Sequence, residues 1–308
     1  MKNERLFSAI GGIKDSYIEQ SEYPVKRKNS RITWSFAAAC FGIAAICGSL
    51  VLQSPKDRAW PIKEITKSSP SPEIGKMRNW EELSISEKYP ELSFHDVMYS
   101  TTVNSIAEAQ IGDLLTKATL TGFDELANIE HQITALVYSI RDISSDAAVA
   151  ISFEGYDGLY TYINPYYQPS TLGQFLSDLN LNHNMSFGSA WYDEKRSNGT
   201  NALIEFVDLS ETTVWEMLLS DQSLPAIQDF DSHNFISFMS ISVDIPLLGY
   251  QNISLSVTED GYLTTNILDT GKAFFLGKEK VNQFVTYVIE NCKGYEVVFI
   301  NDQTGVPE

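Results

Sequence analysis

The sequence predicts an α+β protein with a single N-terminal transmembrane helix, followed by a duplicated extracytoplasmic domain in which antiparallel sheets are packed by helices. Three observations predict this class. An uncharged apolar run fills residues 32–52, apolar patterns of period 2 and period 3.6 follow residue 80, and similar short segments recur at a spacing of roughly 100 residues. Of the 308 residues, 43% are hydrophobic, which excludes intrinsic disorder because such a chain buries enough apolar surface to fold.

The charge is divided unevenly along the chain. The whole sequence has 22 Lys+Arg and 40 Asp+Glu, a net charge of −18, which excludes a nucleic-acid-binding surface over most of its length. Residues 1–31 contain seven basic and four acidic side chains and carry +3, so the remaining 277 residues carry −21. The sign of the charge therefore changes at the apolar run.

The apolar run at 32–52 predicts a membrane-spanning helix. Its 21 residues rise about 1.5 Å each and match a hydrocarbon core about 30 Å thick. A cleaved signal peptide is the alternative, but its apolar region is usually about 7–15 residues long, so an uncleaved anchor is favoured. The basic cluster at 26–31 predicts a cytoplasmic N-terminus and an extracytoplasmic C-terminal region. Two small-residue pairs, Ala38/Gly42 and Ala44/Gly48, fit a homodimer through this helix, although both residue types are common in such helices.

Residues 1–31 form the predicted cytoplasmic amphipathic tail. Leu6, Ile10, Ile13 and Tyr17 lie on one stripe of a helix that is too short to be stable alone in water. We expect these four side chains to contact either the inner leaflet of the membrane or a cytoplasmic regulatory protein. A loosely ordered tail is the alternative.

Beyond the span, the sequence predicts a stalk at 53–79 and two α+β units at 80–181 and 182–308. The stalk is predicted by its Pro/Ser-rich composition, since closely spaced prolines oppose helices and central strands. The two units are predicted to be repeats because matching Asp-Gly and Leu-Gly pairs occur in the same order in both.

Strands and hairpins are predicted from period-2 patterns around Asp-Gly and Asn-Gly pairs, which favour two-residue hairpin turns. The pairs are Asp157-Gly158, Asn198-Gly199 and Asp260-Gly261. The flanking strands are 148–153 with 160–163, 185–192 with 202–207, and 253–258 with 262–267.

An amphipathic helix is predicted at the end of each repeat. The first begins near Ser170-Thr171 and buries Leu172, Phe175, Leu176 and Leu179, with a hydroxyl residue as its N-cap. The second buries Val281, Phe284, Val285, Val288 and Ile289, which follow the spacing of one helix face.

No catalytic, cofactor or metal motif is found in the sequence. The four histidines, His95, His131, His183 and His233, have no partners at metal-ligand spacing, and no phosphate-binding or nucleophile motif occurs. The stretch at 229–240 begins like a calcium loop but lacks the glycine and the glutamate that such a loop needs. We therefore predict a protein that is not an enzyme and has no cofactor.

A group of tyrosines is the best candidate for a ligand-binding surface. Tyr156, Tyr160, Tyr162, Tyr166 and Tyr167 fall within 12 residues, and tyrosine is enriched at recognition surfaces because its ring is apolar and its tip is polar. Tyrosine is also an ordinary strand residue, which is the alternative interpretation.

The sequence resembles a family of uncharacterised single-pass membrane proteins from clostridia-like Firmicutes. The stretches that match are Leu6–Ile13, Ala148–Ile151, Pro169–Gly173, Ile245–Tyr250 and Val257–Leu263. Such proteins are similar to those encoded beside extracytoplasmic-function sigma factors, and this resemblance implies a signalling or anti-sigma-like role. We therefore expect an extracytoplasmic domain that senses an envelope ligand and a tail that contacts a regulatory partner. The alternatives are a structural or cell-wall-binding envelope protein without a signalling role, and an envelope hydrolase.

Overall fold

The structure is a computed structural model that describes residues 58–67, 78–227, 236–268 and 271–301. The chain divides into two compact units, Met1–Lys56 and Asp57–Glu308, and the described residues all belong to the second. The described residues do not include the predicted span at 32–52. They also do not include the four residues of the tail that are predicted to bind a partner, Leu6, Ile10, Ile13 and Tyr17. Within the described ranges, no helix is both apolar enough and long enough to cross a bilayer.

The described residues form fourteen strands and five short or medium α-helices. The strands are β1 (Ile62–Lys67), β2 (Glu91–Phe94), β3 (Val97–Ser105), β4 (Ile111–Asp124), β5 (Ile129–Ile140), β6 (Ala148–Phe153), β7 (Tyr160–Ile163), β8 (Ser186–Lys195), β9 (Asn201–Phe206), β10 (Ser237–Ile245), β11 (Tyr250–Thr258), β12 (Tyr262–Thr265), β13 (Lys272–Phe275) and β14 (Gly294–Asn301). The helices are α1 (Ile85–Lys88), α2 (Leu172–Asp178), α3 (Leu181–Asn184), α4 (Glu211–Met217) and α5 (Lys278–Asn291). Single 3₁₀ turns lie at Trp80–Glu82, Glu108–Gln110 and Pro246–Leu248.

The strands form two sheets. The larger sheet has the order β1-β14-β9-β8-β10-β11-β12-β13, and the smaller sheet has the order β2-β3-β7-β6-β5-β4. Neighbouring strands pair antiparallel, apart from the parallel pair that β1 makes with β14 at the edge of the larger sheet. The prediction of an α+β fold with antiparallel sheets is therefore confirmed.

The main hydrophobic core is shared by the two sheets. One face of the larger sheet, the helices α2, α4 and α5, and one face of the smaller sheet all contribute buried side chains to it. Phe175 of α2 contacts Phe274 of β13 with 5.8 Å between ring centroids, although the two residues belong to different predicted units. A second, smaller core lies on the other face of the smaller sheet, under α1. The described residues of 80–181 and 182–308 thus pack as one body.

The two sheets have different strand orders. Each contains a four-stranded meander, β4-β5-β6-β7 in the smaller sheet and β10-β11-β12-β13 in the larger. In the smaller sheet the preceding hairpin joins the meander at its last strand, because β3 pairs with β7. In the larger sheet the preceding hairpin joins at the first strand, because β8 pairs with β10. The described strands therefore give no evidence of a duplicated domain, and short similar sequences reflect hairpins with similar alternation.

Part of the predicted stalk is a strand of the domain. Residues 62–67 form β1, which adds to the larger sheet beside β14. Pro61 comes directly before the strand, where its missing N–H costs no ladder hydrogen bond. Trp60 is buried in the main core, so the segment is attached at its start as well. The proline spacing correctly excludes a central strand here but does not reveal the buried tryptophan.

The predicted hairpins form, but their turns are longer than two residues. In each Asx-Gly pair only the glycine has a positive φ, 102° at Gly158, 82° at Gly199 and 94° at Gly261, whereas the two-residue turn needs two such residues. The β6–β7 loop runs from 154 to 159. At Gly261 and Gly199 the chain makes a three-residue turn, in which a type I turn is followed by a left-handed glycine.

Both predicted helices are found. The Thr171 hydroxyl oxygen accepts a hydrogen bond of 3.1 Å from the Gln174 N–H and caps α2. The apolar stripe of α5 is buried at Val281, Phe284 and Val288. These helices lie on the same core as the larger sheet.

Candidate functional site

The five predicted tyrosines do not form one surface. Tyr162 is fully buried in the smaller core, where its hydroxyl donates a hydrogen bond of 2.5 Å to the Tyr89 carbonyl oxygen. Tyr160 lies on the same strand face, half-buried, with its ring 5.9 Å from that of Phe153. The alternation that places Tyr160 and Tyr162 on one face therefore directs both rings into the core, and burial raises the pKa of Tyr162 well above its usual value.

Tyr167 is also a core residue. Its ring is buried with the main core, and its hydroxyl donates a hydrogen bond to the Asp178 carboxylate at the end of α2. Burial, and secondly this contact with Asp178, raise the pKa of Tyr167. Of the predicted set, Tyr156 and Tyr166 are exposed, at 51% and 71%.

Tyr156 lines a cleft of about 540 Å³, which we call the tyrosine cleft. It lies where β5 and β6 of the smaller sheet meet the loop 154–159 and the segment 106–111. The lining residues are Ile106, Glu108, Ile111, Tyr138, Ser152, Tyr156, Asp157, Gly158 and Leu159.

Hydrogen bonds to backbone carbonyl oxygens hold the walls of the tyrosine cleft. The Ile106 N–H donates to the Leu159 carbonyl oxygen at 2.8 Å, so the segment 106–111 and the loop 154–159 are joined. The Arg141 N–H donates to the Gln110 carbonyl oxygen at 2.8 Å, and the Arg141 Nε donates to the Ile111 carbonyl oxygen at 2.7 Å. These contacts fasten the 3₁₀ turn that carries Glu108 to the end of β5.

The chemistry of the tyrosine cleft is aromatic and acidic. Two phenol rings, Tyr138 and Tyr156, lie with the carboxylates of Glu108 and Asp157 and the hydroxyl of Ser152. No lysine or arginine is among its lining residues, so an anionic ligand meets repulsion there. Carboxylates and hydroxyls accept hydrogen bonds from a ligand's hydroxyl groups, while the rings supply apolar area. The cleft thus suits a neutral polyhydroxylated ligand.

The sequence did not indicate Tyr138 or Glu108 as site residues. Tyr138 lies on a strand whose alternation directs its ring toward the main core, against which it packs half-buried. Glu108 is one of 40 acidic residues and belongs to no motif. Only the pairing of β5 with β6 and the position of the 154–159 loop bring these side chains beside Tyr156.

A second cleft of about 360 Å³ is also lined by part of the segment 104–110, and we call it the amide cleft. Ile106 is common to both linings. The amide cleft is lined by Asn104, Ser105, Ile106, Ala107, Gln110, His183, Asn184, Pro246 and Leu247.

No protein-family model, curated protein or solved structure matches this chain. The function proposed below therefore rests on the two clefts and on the sequence pattern. Membership of the clostridial membrane-protein family that the sequence resembles stays a prediction.

His95, His131, His183 and Cys292, which lie in the described part of the chain, have ordinary structural surroundings, and His233 lies outside it. The imidazole of His131 stacks on Trp80 at 4.5 Å, and that of His95 stacks on Phe94 at 3.9 Å. His183 shares a hydrogen bond of 2.8 Å with the Asn180 side chain. Burial, and secondly the charge of Asp208, raise the pKa of the half-buried Cys292 thiol. Within the ranges that the structure describes, no three His, Cys, Asp or Glu residues are grouped to hold a metal ion.

Proposed function

We propose that this chain is a non-enzymatic bitopic membrane protein whose extracytoplasmic domain binds a saccharide of the cell envelope. The tyrosine cleft supports this proposal most strongly, because it combines two phenol rings, two carboxylates and a hydroxyl in one cavity. A saccharide has apolar C–H faces that pack on aromatic rings and hydroxyls that donate to carboxylates. The net charge of −21 over residues 32–308 adds to the argument against an anionic ligand.

The membrane topology of the proposal rests on the sequence. The tail at 1–31 is cytoplasmic, the span at 32–52 anchors the chain, and the remainder lies outside. The stripe of Leu6, Ile10, Ile13 and Tyr17 contacts a cytoplasmic regulatory protein, for which a sigma factor is the candidate that the family resemblance implies. The small-residue pairs of the span provide a surface for a homodimer.

Replacing Tyr156 with alanine is expected to weaken saccharide binding about tenfold, since an aromatic contact of this kind contributes about 1.5 kcal/mol. The measurement is calorimetric titration of the full-length chain in detergent with two β-1,4-linked trimers, one of glucose and one of N-acetylglucosamine. Tyr156 is exposed and outside the hydrophobic cores, so the thermal unfolding midpoint of the variant should be unchanged.

The matched control is Tyr166→Ala, which removes a more exposed tyrosine that does not line the cleft. It should bind both trimers as the unaltered chain does. Equal affinities for the Tyr156→Ala variant and the unaltered chain, or no binding of either trimer by the unaltered chain, would refute the proposed function.

A further inference from the structure

The amide cleft has a polar lining rich in side-chain amides. Its polar side chains are those of Asn104, Ser105, Gln110, His183 and Asn184, and no Asp, Glu, Lys or Arg is among its lining residues. The apolar part of the wall is formed by Ile106, Ala107, Pro246 and Leu247. Such a lining offers amide and hydroxyl hydrogen bonds together with a small apolar surface.

One amide of this lining lacks a hydrogen-bond partner. The Nδ2 atom of Asn184 is buried, and among the described residues it donates to no acceptor. A buried donor without an acceptor carries a free-energy cost, so an unsatisfied donor at a cleft needs an explanation. Asn184 lines the cleft, and because the last torsion of asparagine is broad, rotation about it reorients this amide. A ligand oxygen at Asn184 removes the cost.

The chain is strained beside Asn104, which lines the amide cleft. Val103 has a positive φ of 58° in a bulge of β3, which is rare for a β-branched residue. Beside it, the Asn104 Nδ2 donates to the Pro246 carbonyl oxygen at 2.9 Å. A Cβ on Gly249 would lie 2.7 Å from the Cβ of Asn104, so only glycine permits this approach. The bulge thus fastens the edge of the smaller sheet to the Pro246–Leu248 turn, and strain retained at a cleft is typical of a binding site.

We infer that the amide cleft is the subsite for the acetamido group of an N-acetylated hexosamine chain. The inference rests on the proposed function and names the saccharide class. The acetamido carbonyl oxygen accepts the hydrogen bond from Asn184, and its methyl group packs on Ile106, Pro246 and Leu247. Because Ile106 lines both clefts, one oligosaccharide lies across the segment 104–110, with a sugar ring at the tyrosine cleft and an acetamido group at the amide cleft.

The test compares the two trimers defined above on the full-length chain in detergent. The unaltered chain should bind the N-acetylglucosamine trimer about tenfold more tightly than the glucose trimer, since one hydrogen bond and one methyl contact contribute about 1.4 kcal/mol together. Asn184→Ala should lower the affinity for the N-acetylated trimer about tenfold and leave the affinity for the glucose trimer unchanged.

Controls separate this inference from the function on which it rests. Asn182→Ala changes an exposed residue of the same helix that does not line the cleft, and it should bind both trimers normally. Asn184→Ala should not lower the thermal unfolding midpoint, because it removes an unsatisfied donor. Equal affinity of the unaltered chain for both trimers, or an equal loss for both in Asn184→Ala, overturns the acetamido subsite while the saccharide function stands. Absence of any binding overturns both.

Discussion

Replacing Trp60 with alanine is expected to lower the free energy of unfolding by about 3–5 kcal/mol, the usual range for truncation of a buried tryptophan. The side chain is 7% exposed and meets Phe206 edge-to-face, with 5.4 Å between the ring centroids. Its Nε1 donates a hydrogen bond of 3.3 Å to the Glu194 carboxylate, which is itself buried. Truncation therefore opens a cavity and removes a hydrogen-bond donor from a buried charge.

The measurement for Trp60→Ala is denaturant unfolding of the full-length chain, together with hydrogen exchange of the β1 amides. We expect faster exchange in β1, because Trp60 attaches the start of this edge strand to the core. The control is Ile62→Ala at the start of β1. The Ile62 side chain is 66% exposed, so this variant should lower the free energy of unfolding by less than about 0.5 kcal/mol. Equal stabilities for the two variants would show that 58–67 is a stalk rather than a part of the domain.

Replacing Gly261 with alanine is expected to lower the free energy of unfolding by about 2–5 kcal/mol. Its φ of 94° is unfavourable for a residue with a Cβ by about 1–2 kcal/mol. An added Cβ would also lie 2.5 Å from the Lys278 backbone nitrogen and 2.6 Å from the Gly277 carbonyl carbon, so the start of α5 must move. The Gly261 carbonyl oxygen accepts hydrogen bonds from Leu276 and Gly277 at 2.9 and 3.0 Å, which that movement weakens.

The matched control for Gly261→Ala is Gly199→Ala. Gly199 has a φ of 82°, but an added Cβ there meets no atom within 4 Å. The free energy of unfolding of this variant should therefore fall only by the cost of a positive φ in a residue with a Cβ, about 1–2 kcal/mol. Thermal or denaturant unfolding distinguishes the two variants. Equal losses of stability would show that a Cβ at Gly261 makes no steric clash with the start of α5.

Local patterns in the sequence predicted most of the elements that follow residue 145. The alternation at 148–153 and 160–163 and the stripe of α5 are properties of neighbouring residues, so they predict β6, β7 and a helix directly. The strand orders were not predictable in this way. Pairing of β3 with β7 and of β8 with β10 depends on contacts between residues far apart in the chain.

The candidate site likewise depends on contacts between residues that are far apart in the chain. Of the five predicted tyrosines, Tyr156 lines a cleft, whereas alternation on β7 places Tyr162 in the core and the contact with Asp178 holds Tyr167 there. Neither cleft was predicted, because both are formed where the segment 104–111 crosses between elements that are distant in sequence. Asn184 has no sequence signal, since an unpaired buried donor is recognisable only from its surroundings.

The central claim is that one membrane span separates a cytoplasmic tail from an extracytoplasmic binding domain. Cysteine labelling in intact protoplasts tests it most directly, with a maleimide that does not cross membranes and a Cys292→Ser background. Tyr166→Cys places a thiol at a side-chain position that is 71% exposed, and Ser8→Cys places one in the tail. We predict that Tyr166→Cys is labelled in intact protoplasts and that Ser8→Cys is labelled only after permeabilisation. Labelling of Ser8→Cys from outside, or protection of Tyr166→Cys until permeabilisation, would contradict both the topology and the cytoplasmic partner.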